Sequence, residues 1–410
     1  MKILLVHKFS IIEPLGLMIL GKAMKDKGND VDYYLYKTKN IDFNEVDNLF
    51  SYDLIGFSTY TGNHIEVYDA CKTLRALGIK TAIGGPHASF FYEECKKYAD
   101  FVFRGESVLS FPNIDDTRIY PMVDPDILLP DREGFYSQSL EHKNNRIKNI
   151  MTSFGCPFSC TYCYNSSYKL IYPNIKVRLR SVNSVIEEAK TINAELIFFQ
   201  DDFFGFNKKW LTEFNEKWNK RPYHAQFRIE SLDNKKIELL IKSGCVSATI
   251  AIETYNEEYR EKILGKKMKN EVIIKNCKKL LSNGIKLRTE QMLGLPNTSF
   301  EDELNLLKMN CEIKPTIAWT SIFQPYRGTV LGEYCVSNGL YDGNNDDIDD
   351  TFFTKTVLKY SDGRKREIIE LQKIFALCSY IPNGWLYAKQ IIKDDDNDLK
   401  KHLYSILYET

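Results

Sequence analysis

The sequence predicts an α/β protein in three parts: an N-terminal, Rossmann-like doubly wound parallel sheet, a partial (β/α)6 barrel, and a small, mostly helical C-terminal segment. Three observations predict this fold class. Short apolar runs alternate with helical patterns over residues 1–110, the alternation restarts with a longer pitch at 147, and it loosens after about 330. Strand and helix alternating along a chain are typical of parallel sheets covered by helices.

The first part, predicted over residues 1–112, has five strand-like runs, "KILLV", "DVDYYLY", "DLIGFST", "KTAIGG" and "DFVFRG". Helical spacing of apolar residues falls between them, at 15–27, 64–76 and 90–97. Ligands of such sheets bind at the carboxyl ends of the strands. We therefore expect a ligand near "STYTG" and "GGPHAS", where two glycines let backbone approach a flat molecule.

Residues 113–146 are rich in Pro and Asp with weak periodicity and are predicted to be a linker. The barrel is predicted over 147–330, with strands near 147, 195, 224, 247, 286 and 316. Six β/α units are too few to close an eight-stranded barrel, so an open barrel is expected. Residues 331–410 form the C-terminal part, with helices predicted at 363–379 and 384–392.

Composition argues against several classes of protein. Lys plus Arg equals Asp plus Glu at 55 each, so no bulk charge attracts nucleic acid or anionic membranes. The apolar start "MKILLV" is too short for a signal peptide, and no run approaches the length of a membrane span. We expect a cytoplasmic protein with reduced thiols, which makes disulfides a poor explanation for its cysteines.

The stretch "SFGCPFSCTYCYNSSYK" places Cys156, Cys160 and Cys163 within eight residues, in the loop after the first barrel strand. Three thiolates on one loop can hold three irons of a [4Fe–4S] cluster and leave the fourth iron open. A structural zinc site would need a fourth ligand, and ordinary reduced cysteines are the other alternative. The cluster is favoured, and the remaining cysteines are too dispersed to form a second one.

The CxxxCxxC spacing, with an aromatic residue before the third cysteine, resembles the radical S-adenosylmethionine (SAM) superfamily. The resemblance implies that the three cysteines bind the cluster and that Tyr162 packs near the adenine of SAM. It also implies that the open iron takes the amino and carboxylate groups of SAM, which is then split to a 5′-deoxyadenosyl radical.

Further strand ends resemble weaker SAM contacts of that family, in "FFQDDFF", "FRIES", "IAIET" and "LGLPNTS". The candidate residues are Asp201, Asp202, Arg228, Glu230, Glu253 and Gly294. The guanidinium of Arg228 is well shaped to pair with the methionine carboxylate. These residues also have a structural explanation. An aspartate could cap the following helix, and Arg228 and Glu230 could form an ordinary ion pair.

The N-terminal part resembles the cobalamin-binding domain that precedes the barrel in one branch of this superfamily. The candidate residues are Ser58, Thr59, Gly84, Gly85, His87, Gly105 and Glu106. The DxHxxG loop of methyl-carrying domains is absent, since Pro14-Leu15-Gly16 stands there, so no lower axial histidine is expected from it. The alternatives are a degenerate domain that binds nothing, or a second-cluster domain, which the placement of Cys71 and Cys95 in helical stretches disfavours.

These resemblances imply a cobalamin-dependent radical SAM C-methyltransferase that acts on an unactivated carbon. A cyclase, a ring-rearranging or an oxidising enzyme of the same branch remains an alternative, as does a non-catalytic cobalamin or redox sensor. The substrate is expected to be a small metabolite, a natural-product precursor or a peptide, and an external donor such as flavodoxin or ferredoxin would supply electrons. Candidate substrate contacts, which a structural turn would explain equally well, are Gln324, Tyr326 and Arg327.

Overall fold

The structure is a computed structural model that describes residues 1–110, 119–393 and 398. The chain divides into two compact units. The first comprises Met1–Gly155, Ser167–Gln200 and Ile348–Asp350, and the second comprises Cys156–Ser166, Asp201–Asp347 and Thr351–Thr410. The predicted linker residues 113–118 and most of the predicted C-terminal residues 394–410 lie outside the described residues.

The first unit contains the predicted doubly wound sheet, which is confirmed. Its strands are β1 (Lys2–Lys8), β2 (Asp30–Tyr36), β3 (Leu54–Ser58), β4 (Thr81–Gly84) and β5 (Phe101–Val102). They are parallel throughout, in the order β2-β1-β3-β4-β5. The α-helices between them are α1 (Leu15–Lys25), α2 (His64–Ala76), α3 (Pro86–Phe90) and α4 (Tyr92–Cys95), with 3-10 turns at Phe43–Glu45 and Leu49–Ser51.

Burial on both faces explains why this sheet forms. Ile3, Leu4, Leu5 and Val6 of β1 are all buried, as expected for a parallel strand covered by helices on both sides. Two separate apolar clusters pack against the sheet, and they divide the alternate residues of β1 between them. The strand order reverses direction between β1 and β3, so the ligand crevice of this fold type opens there, at the carboxyl ends.

The predicted linker segment contains more structure than its sequence indicates. Helices α5 (Arg132–Gln138) and α6 (Leu140–Asn144) follow a 3-10 turn at Pro125–Ile127. Phe135 is fully buried against Tyr33 of β2, and the Asp131 carboxylate caps α5. Helices of seven and five residues are too short to display a helical period, which is why composition dominated the sequence prediction.

The rest of the first unit begins the second α/β series. The elements are β6 (Ile147–Ile150), β7 (Ser153–Phe154), α7 (Tyr164–Ile171), β8 (Arg178–Leu179), α8 (Val182–Thr191) and β9 (Leu196–Phe199). Strands β6 and β9 pair in parallel, and β7 and β8 form a short antiparallel pair. The first residues of α7 belong to the second unit.

The second unit continues the series with four parallel strands paired in chain order. These strands are β10 (Tyr223–Phe227), β11 (Cys245–Glu253), β12 (Lys286–Leu293) and β13 (Ile317–Ile322). The intervening helices are α9 (Lys208–Lys217), α10 (Asn234–Ser243), α11 (Glu257–Lys262), α12 (Asn270–Ser282) and α13 (Phe300–Ile313), with a 3-10 turn at Ile229–Ser231. Counted with β6 and β9, the described residues supply the six parallel strands that the sequence predicts.

The C-terminal part is mostly helical, as predicted. It contains α14 (Val330–Ser337), a 3-10 turn at Asn345–Asp347, α15 (Asp362–Tyr380) and α16 (Gly384–Lys393). Helix α15 buries Ile368, Leu371 and Phe375, and its Gln372 side chain donates to the Thr320 carbonyl of β13. Among the described helices, none has the length and apolarity that crossing a bilayer would require.

Candidate cluster and cofactor sites

The cysteine loop lies between β7 and α7 and belongs to the second unit. Gly155 opens it with φ of +89°, a conformation that favours glycine. The Cys163 amide donates to the Cys160 carbonyl at 3.2 Å, and the Ser166 hydroxyl lies 2.6 Å from both the Cys160 and Cys163 carbonyl oxygens. These bonds give the loop a tight turn with three partly exposed thiols.

Three thiols on one loop suit a [4Fe–4S] cluster. Within residues 1–110, 119–393 and 398, no three His, Cys, Asp or Glu side chains converge on one ion. A cluster takes one thiolate per iron, so its sulfur ligands are spread further apart than those of a zinc ion. Burial raises the pKa of Cys163 to about 11, so a thiolate there needs the positive charge that iron would supply.

The loop after α11 packs against the cysteine loop. Thr161 donates its amide to the Leu264 carbonyl at 3.1 Å and its hydroxyl to the Ile263 carbonyl at 2.7 Å. Gly265 has φ of +66°, and a Cβ atom there would lie 3.1 Å from the Ser159 carbonyl oxygen. The close backbone approach explains why glycine stands at this position.

Tyr162, predicted to pack near SAM, is tied to Glu253. The Tyr162 hydroxyl donates to Glu253 Oε1 at 2.6 Å, and burial raises the pKa of this tyrosine. Lys266 donates to the same Oε1 atom at 2.9 Å and to the Ala251 carbonyl at 2.7 Å. Glu253 and Lys266 are both buried, and Glu253 has φ of +71°, a strained backbone at the end of β11.

Lys266 is a site residue that the sequence analysis missed. It follows a helix end and a glycine, a context that carries no signal for a buried cation. A buried lysine persists when a carboxylate compensates it, and Glu253 does so here.

Arg228 also contacts the cysteine loop. Its guanidinium lies over the Phe158 ring, with 3.8 Å between Cζ and the ring centroid, and Nη1 is 3.8 Å from Cys160 Sγ. Nε and Nη2 donate to Glu230 Oε1 at 2.6 and 2.5 Å. Glu230 Oε2 is buried and has no hydrogen-bond partner among the described residues, so it can accept a donor from a ligand.

The two predicted aspartates follow β9. Asp202 accepts a hydrogen bond from Asn165 of α7, and burial raises the pKa of its carboxyl group. Its charge acts on Cys156 and Cys163, which places it beside the cysteine loop, whereas Asp201 is fully buried. The side chain of Asn207 caps α9, so neither aspartate caps that helix.

Gly294 lies at the end of β12 with φ of +68°, and its amide donates to Glu303 Oε1 at 2.7 Å. Glu303 is buried and pairs with Arg364 of α15 at 2.6 Å. A Cβ atom at Gly294 would lie 3.0 Å from the Ile368 side chain. The loop predicted to approach adenine is therefore fixed against the C-terminal helix α15.

In the first unit, the predicted residues after β3 and β4 meet at the crevice edge. Ser58 pairs with Gly84 across the sheet, and the Thr59 amide donates to the Gly84 carbonyl at 2.9 Å. Gly85 has φ of +95°, and a Cβ atom there would lie 2.7 Å from the Thr59 carbonyl oxygen. Thr59 Oγ1 is buried without a hydrogen-bond partner among the described residues, so this hydroxyl is available to a ligand.

His87 is fully buried, and both of its ring nitrogens are engaged within the protein. Nδ1 lies 2.8 Å from Thr61 Oγ1, Nε2 lies 2.9 Å from the Tyr68 hydroxyl, and the ring stacks on His64 at 4.4 Å. Burial, with a smaller contribution from His64, lowers the pKa of His87 to about 3. This geometry favours a structural role over a contact of its ring nitrogens with a ligand.

Gly105 and Glu106 are engaged with neighbouring segments of the first unit. Gly105 has φ of +66°, and a Cβ atom there would clash with the Tyr172 hydroxyl, which accepts a hydrogen bond from the Glu106 amide. The Glu106 carboxylate pairs with Arg178 and accepts from the Val123 amide. These contacts shape the turn after β5.

The three candidate substrate residues differ in how many of their polar atoms already form hydrogen bonds within the protein. Arg327 donates to Glu333 at 2.8 Å and to the Gly343 carbonyl at 3.3 Å, which suits a structural turn. The Tyr326 ring packs against Tyr164, with centroids 5.5 Å apart. Gln324 is buried, and its Oε1 atom has no hydrogen-bond partner among the described residues, so it retains an acceptor for a ligand.

Comparison with protein families and known proteins supports both predicted resemblances. Residues 150–309 match the radical SAM superfamily, and residues 1–115 match the B12-binding domain. An uncharacterized methyltransferase of Pyrococcus horikoshii is 24% identical over 380 residues, which cover 80% of this chain and 79% of that protein. The bacteriochlorophyllide d C-8(2)-methyltransferase of Chlorobaculum tepidum is 24% identical, over 70% of this chain and 69% of that protein.

A third relative has a different activity. The anaerobic magnesium-protoporphyrin IX monomethyl ester cyclase of Rubrivivax gelatinosus is 22% identical, over 67% of this chain and 57% of that protein.

Solved structures share the fold. The radical SAM methyltransferase TsrM from Kitasatospora setae, with cobalamin and a [4Fe–4S] cluster bound, has a TM-score of 0.62 at 16% identity, covering 82% of this chain and 75% of that chain. The cobalamin-dependent SAM radical enzyme OxsB has a TM-score of 0.58 at 15% identity, covering 88% of this chain and 58% of that chain.

Proposed function

We propose that this chain, a member of the radical SAM superfamily with an N-terminal B12-binding domain, transfers a methyl group to an unactivated carbon of its substrate. The two domains imply three cofactors: a [4Fe–4S] cluster, SAM and cobalamin. When bound, they supply a carbon-centred radical for hydrogen abstraction and a methyl group for transfer. The chain's own residues would hold and orient these groups: the three cysteines the cluster, and the crevice edge of the first unit the cobalamin.

The observation that carries the proposal is that one chain matches both domains and has a candidate cofactor site in each. The cysteine loop offers three thiols, with Arg228 beside Cys160 and Glu253 bound to Tyr162. The B12-binding domain offers the Thr59 hydroxyl at its crevice edge, which has no hydrogen-bond partner within the part of the chain that the structure describes. The two methyltransferases among the relatives, each 24% identical, support methyl transfer as the outcome.

The polar groups near the cysteine loop suit the amino-acid end of SAM, which carries both an ammonium and a carboxylate. Glu230 Oε2, which no described residue contacts by a hydrogen bond, is a buried acceptor for the ammonium group. The remaining N–H groups of Arg228 are donors for the carboxylate. Asp202 follows β9 and accepts a hydrogen bond from Asn165 next to the cysteine loop, so it is the second candidate for the ammonium. Glu253, held by Tyr162 and Lys266, is assigned to the ribose side.

Cyclisation without methyl transfer is a second candidate, and the cyclase relative at 22% identity favours it. Both candidates begin with hydrogen abstraction, so the same cofactor sites serve either one. They differ in the fate of the substrate radical and in whether a methyl group is consumed.

The proposed partners are an external electron donor, such as flavodoxin or ferredoxin, and a small metabolite, natural-product precursor or peptide as substrate. Gln324 is the candidate substrate contact that the geometry favours most, because its buried Oε1 atom can accept a hydrogen bond. The proposed compartment is the cytoplasm, where the cysteines stay reduced.

The proposal is tested by anaerobic reconstitution of the whole chain with iron, sulfide and hydroxocobalamin. About four irons and one cobalamin per chain are expected, followed by 5′-deoxyadenosine on reduction with SAM and by S-adenosylhomocysteine when methyl transfer occurs. Cys163→Ser should lose the cluster but keep cobalamin, while Cys311→Ser, which alters a thiol on helix α13, should keep both. Iron without cobalamin would contradict methyl transfer, and 5′-deoxyadenosine without S-adenosylhomocysteine would favour the cyclase alternative.

A further inference from the structure

Arg228 contacts the cysteine loop through two different faces of its guanidinium group. The flat face lies on Phe158, 3.8 Å from the ring centroid, and the Nη1 edge lies 3.8 Å from Cys160 Sγ. Arg228 is 9% exposed, so both contacts form largely out of water, where the attraction of a charge to a ring and to a sulfur is strengthened.

Glu230 fixes the direction of this guanidinium. It accepts hydrogen bonds from Nε and Nη2 on a single oxygen, at 2.6 and 2.5 Å. Because the guanidinium is a rigid plane, the ion pair on one edge and the ring on one face leave Nη1 aimed at the sulfur. Phe158 belongs to the same loop as Cys160, so the ring that orients Arg228 moves with the thiol that receives its hydrogen bond.

We infer that Arg228 donates an N–H···S hydrogen bond to the Cys160 thiolate and thereby raises the reduction potential of the cluster. The inference rests on the proposed function, and it goes beyond the predicted contact of Arg228 with SAM. Reduction adds one electron from an external donor and makes the cluster one charge more negative. Hydrogen bonds to the ligand sulfurs and a nearby positive charge stabilise that state.

The local charges support this assignment. Asp202 acts on Cys156 and Cys163 with negative charge, while Arg228 acts on Cys156 with positive charge. Lys266 is compensated by Glu253, which lies at hydrogen-bonding distance from its ammonium group. Arg228 is the cation that the structure places within hydrogen-bonding distance of a cluster thiol in the described residues.

The test compares reconstituted wild-type enzyme with Arg228→Met/Glu230→Gln. This pair of changes keeps the net charge, avoids leaving a buried carboxylate alone, and removes the donor to Cys160. The midpoint potential is measured by a redox titration followed by electron paramagnetic resonance, without SAM. We expect reduction to become about tenfold less favourable, which is ~59 mV for a one-electron couple. Lys267→Met removes an exposed charge as a control and should leave the potential unchanged.

Two further variants keep the inference falsifiable if the double variant fails to take up iron. Arg228→Lys retains the charge and one donor, and Phe158→Leu removes only the aromatic support, so each should lower the potential by less than the double variant. An unchanged potential in any iron-loaded Arg228 variant would overturn the inference. A wild-type chain that takes up no iron would count against the proposed function instead, which separates the two failures.

Discussion

The crevice edge of the first unit and the strand ends around the cysteine loop differ in the charge of their polar groups. After β3 and β4, backbone amides, the Thr59 hydroxyl and the neutral ring of His87 define the surface. After β10 and β11, two ion pairs stand beside the thiols, Arg228 with Glu230 and Lys266 with Glu253. The neutral groups after β3 and β4 suit a broad ligand recognised by shape and a few hydrogen bonds, and the charges of this unit's edge, Lys8 with Glu66 and Asp350, stand at the end of β1. The charged groups after β10 and β11 suit a zwitterion and an anionic cluster.

This contrast matches the two kinds of cofactor in the proposed function. It also predicts that substitutions in the two regions have different effects. Substitutions in the charged region should lower stability strongly, because they leave a buried charge without its partner. Substitutions in the neutral region should act through steric fit and single hydrogen bonds.

The largest effect on stability is expected from Lys266→Met, which leaves Glu253 buried without its cation. Breaking a buried ion pair costs about 3–5 kcal/mol, so the free energy of unfolding should fall by that order. Denaturant unfolding of the variant measures it, with Lys267→Met as the matched control on an exposed neighbour. Equal stability of the two variants would show that the Glu253 contacts contribute nothing.

Gly85→Ala should have the next largest effect, because it forces an alanine into φ of +95° and against the Thr59 carbonyl oxygen. We expect a loss of about 3 kcal/mol in stability, together with loss of cobalamin and retention of iron. Gly84→Ala is the matched control, since its Cβ atom would meet only Phe103 at an ordinary 3.9 Å. Retained cobalamin in Gly85→Ala would remove this turn from the proposed site.

The buried neutral histidine makes the first unit sensitive to acid. His87 has a pKa of about 3 in the folded protein, against 6.5 in a free side chain. Between these values the unfolded chain binds more protons, so stability is lost as the pH falls below 6.5. The His87 contribution at pH 5 should be about 2 kcal/mol below its value at pH 7.

The measurement is the free energy of unfolding against pH for wild type and His87→Gln. The variant should lack this part of the acid sensitivity. His224→Gln provides the comparison in the second unit, because burial also lowers the pKa of His224, to about 4. Parallel curves for wild type and His87→Gln would contradict the assignment.

The smallest effect is expected from Thr59→Val, which removes one hydroxyl and keeps the shape of the side chain. A single hydrogen bond to a ligand is worth about 1 kcal/mol, so cobalamin should bind roughly fivefold more weakly. Stability without cobalamin should not fall, since the hydroxyl has no partner among the described residues. Equilibrium binding of hydroxocobalamin measures this, and unchanged affinity would exclude Thr59 from the contact.

The repeating architecture is predictable from the sequence because the pattern of strands and helices is local. Strands with both faces buried read as apolar runs, and helices α2 and α15 begin and end within one residue of their predicted bounds. The short helices α5 and α6 were missed, since fewer than two or three turns show no period.

The candidate sites were predictable only as positions, not as contacts. Ends of parallel strands meet at one edge, and Arg228, Glu253 and Thr59 were selected because they stand at or just after strand ends in stretches that resemble the motifs of the two families. Lys266 was not selected, because it neither follows a strand nor belongs to a recognisable pattern. Asn165 was not selected although it follows Cys163 by two residues, because its hydrogen bond to Asp202 depends on the fold. The hydrogen bonds of His87 with Thr61 and Tyr68 could not be predicted either, since these partners stand 26 and 19 residues away in the sequence.

The sequence by itself determined the β/α order, the spacing of the three cysteines and the glycines that the tight turns require. These features depend on residues close together in the chain, so the period of apolar residues and the spacing of the cysteines show them directly. Only the tertiary structure decided which charges compensate each other and which hydroxyls, carboxylates and amides remain available to a ligand. Such pairings join residues far apart in the chain, 91 positions in the case of Tyr162 and Glu253, and they form only once burial has removed the competing water.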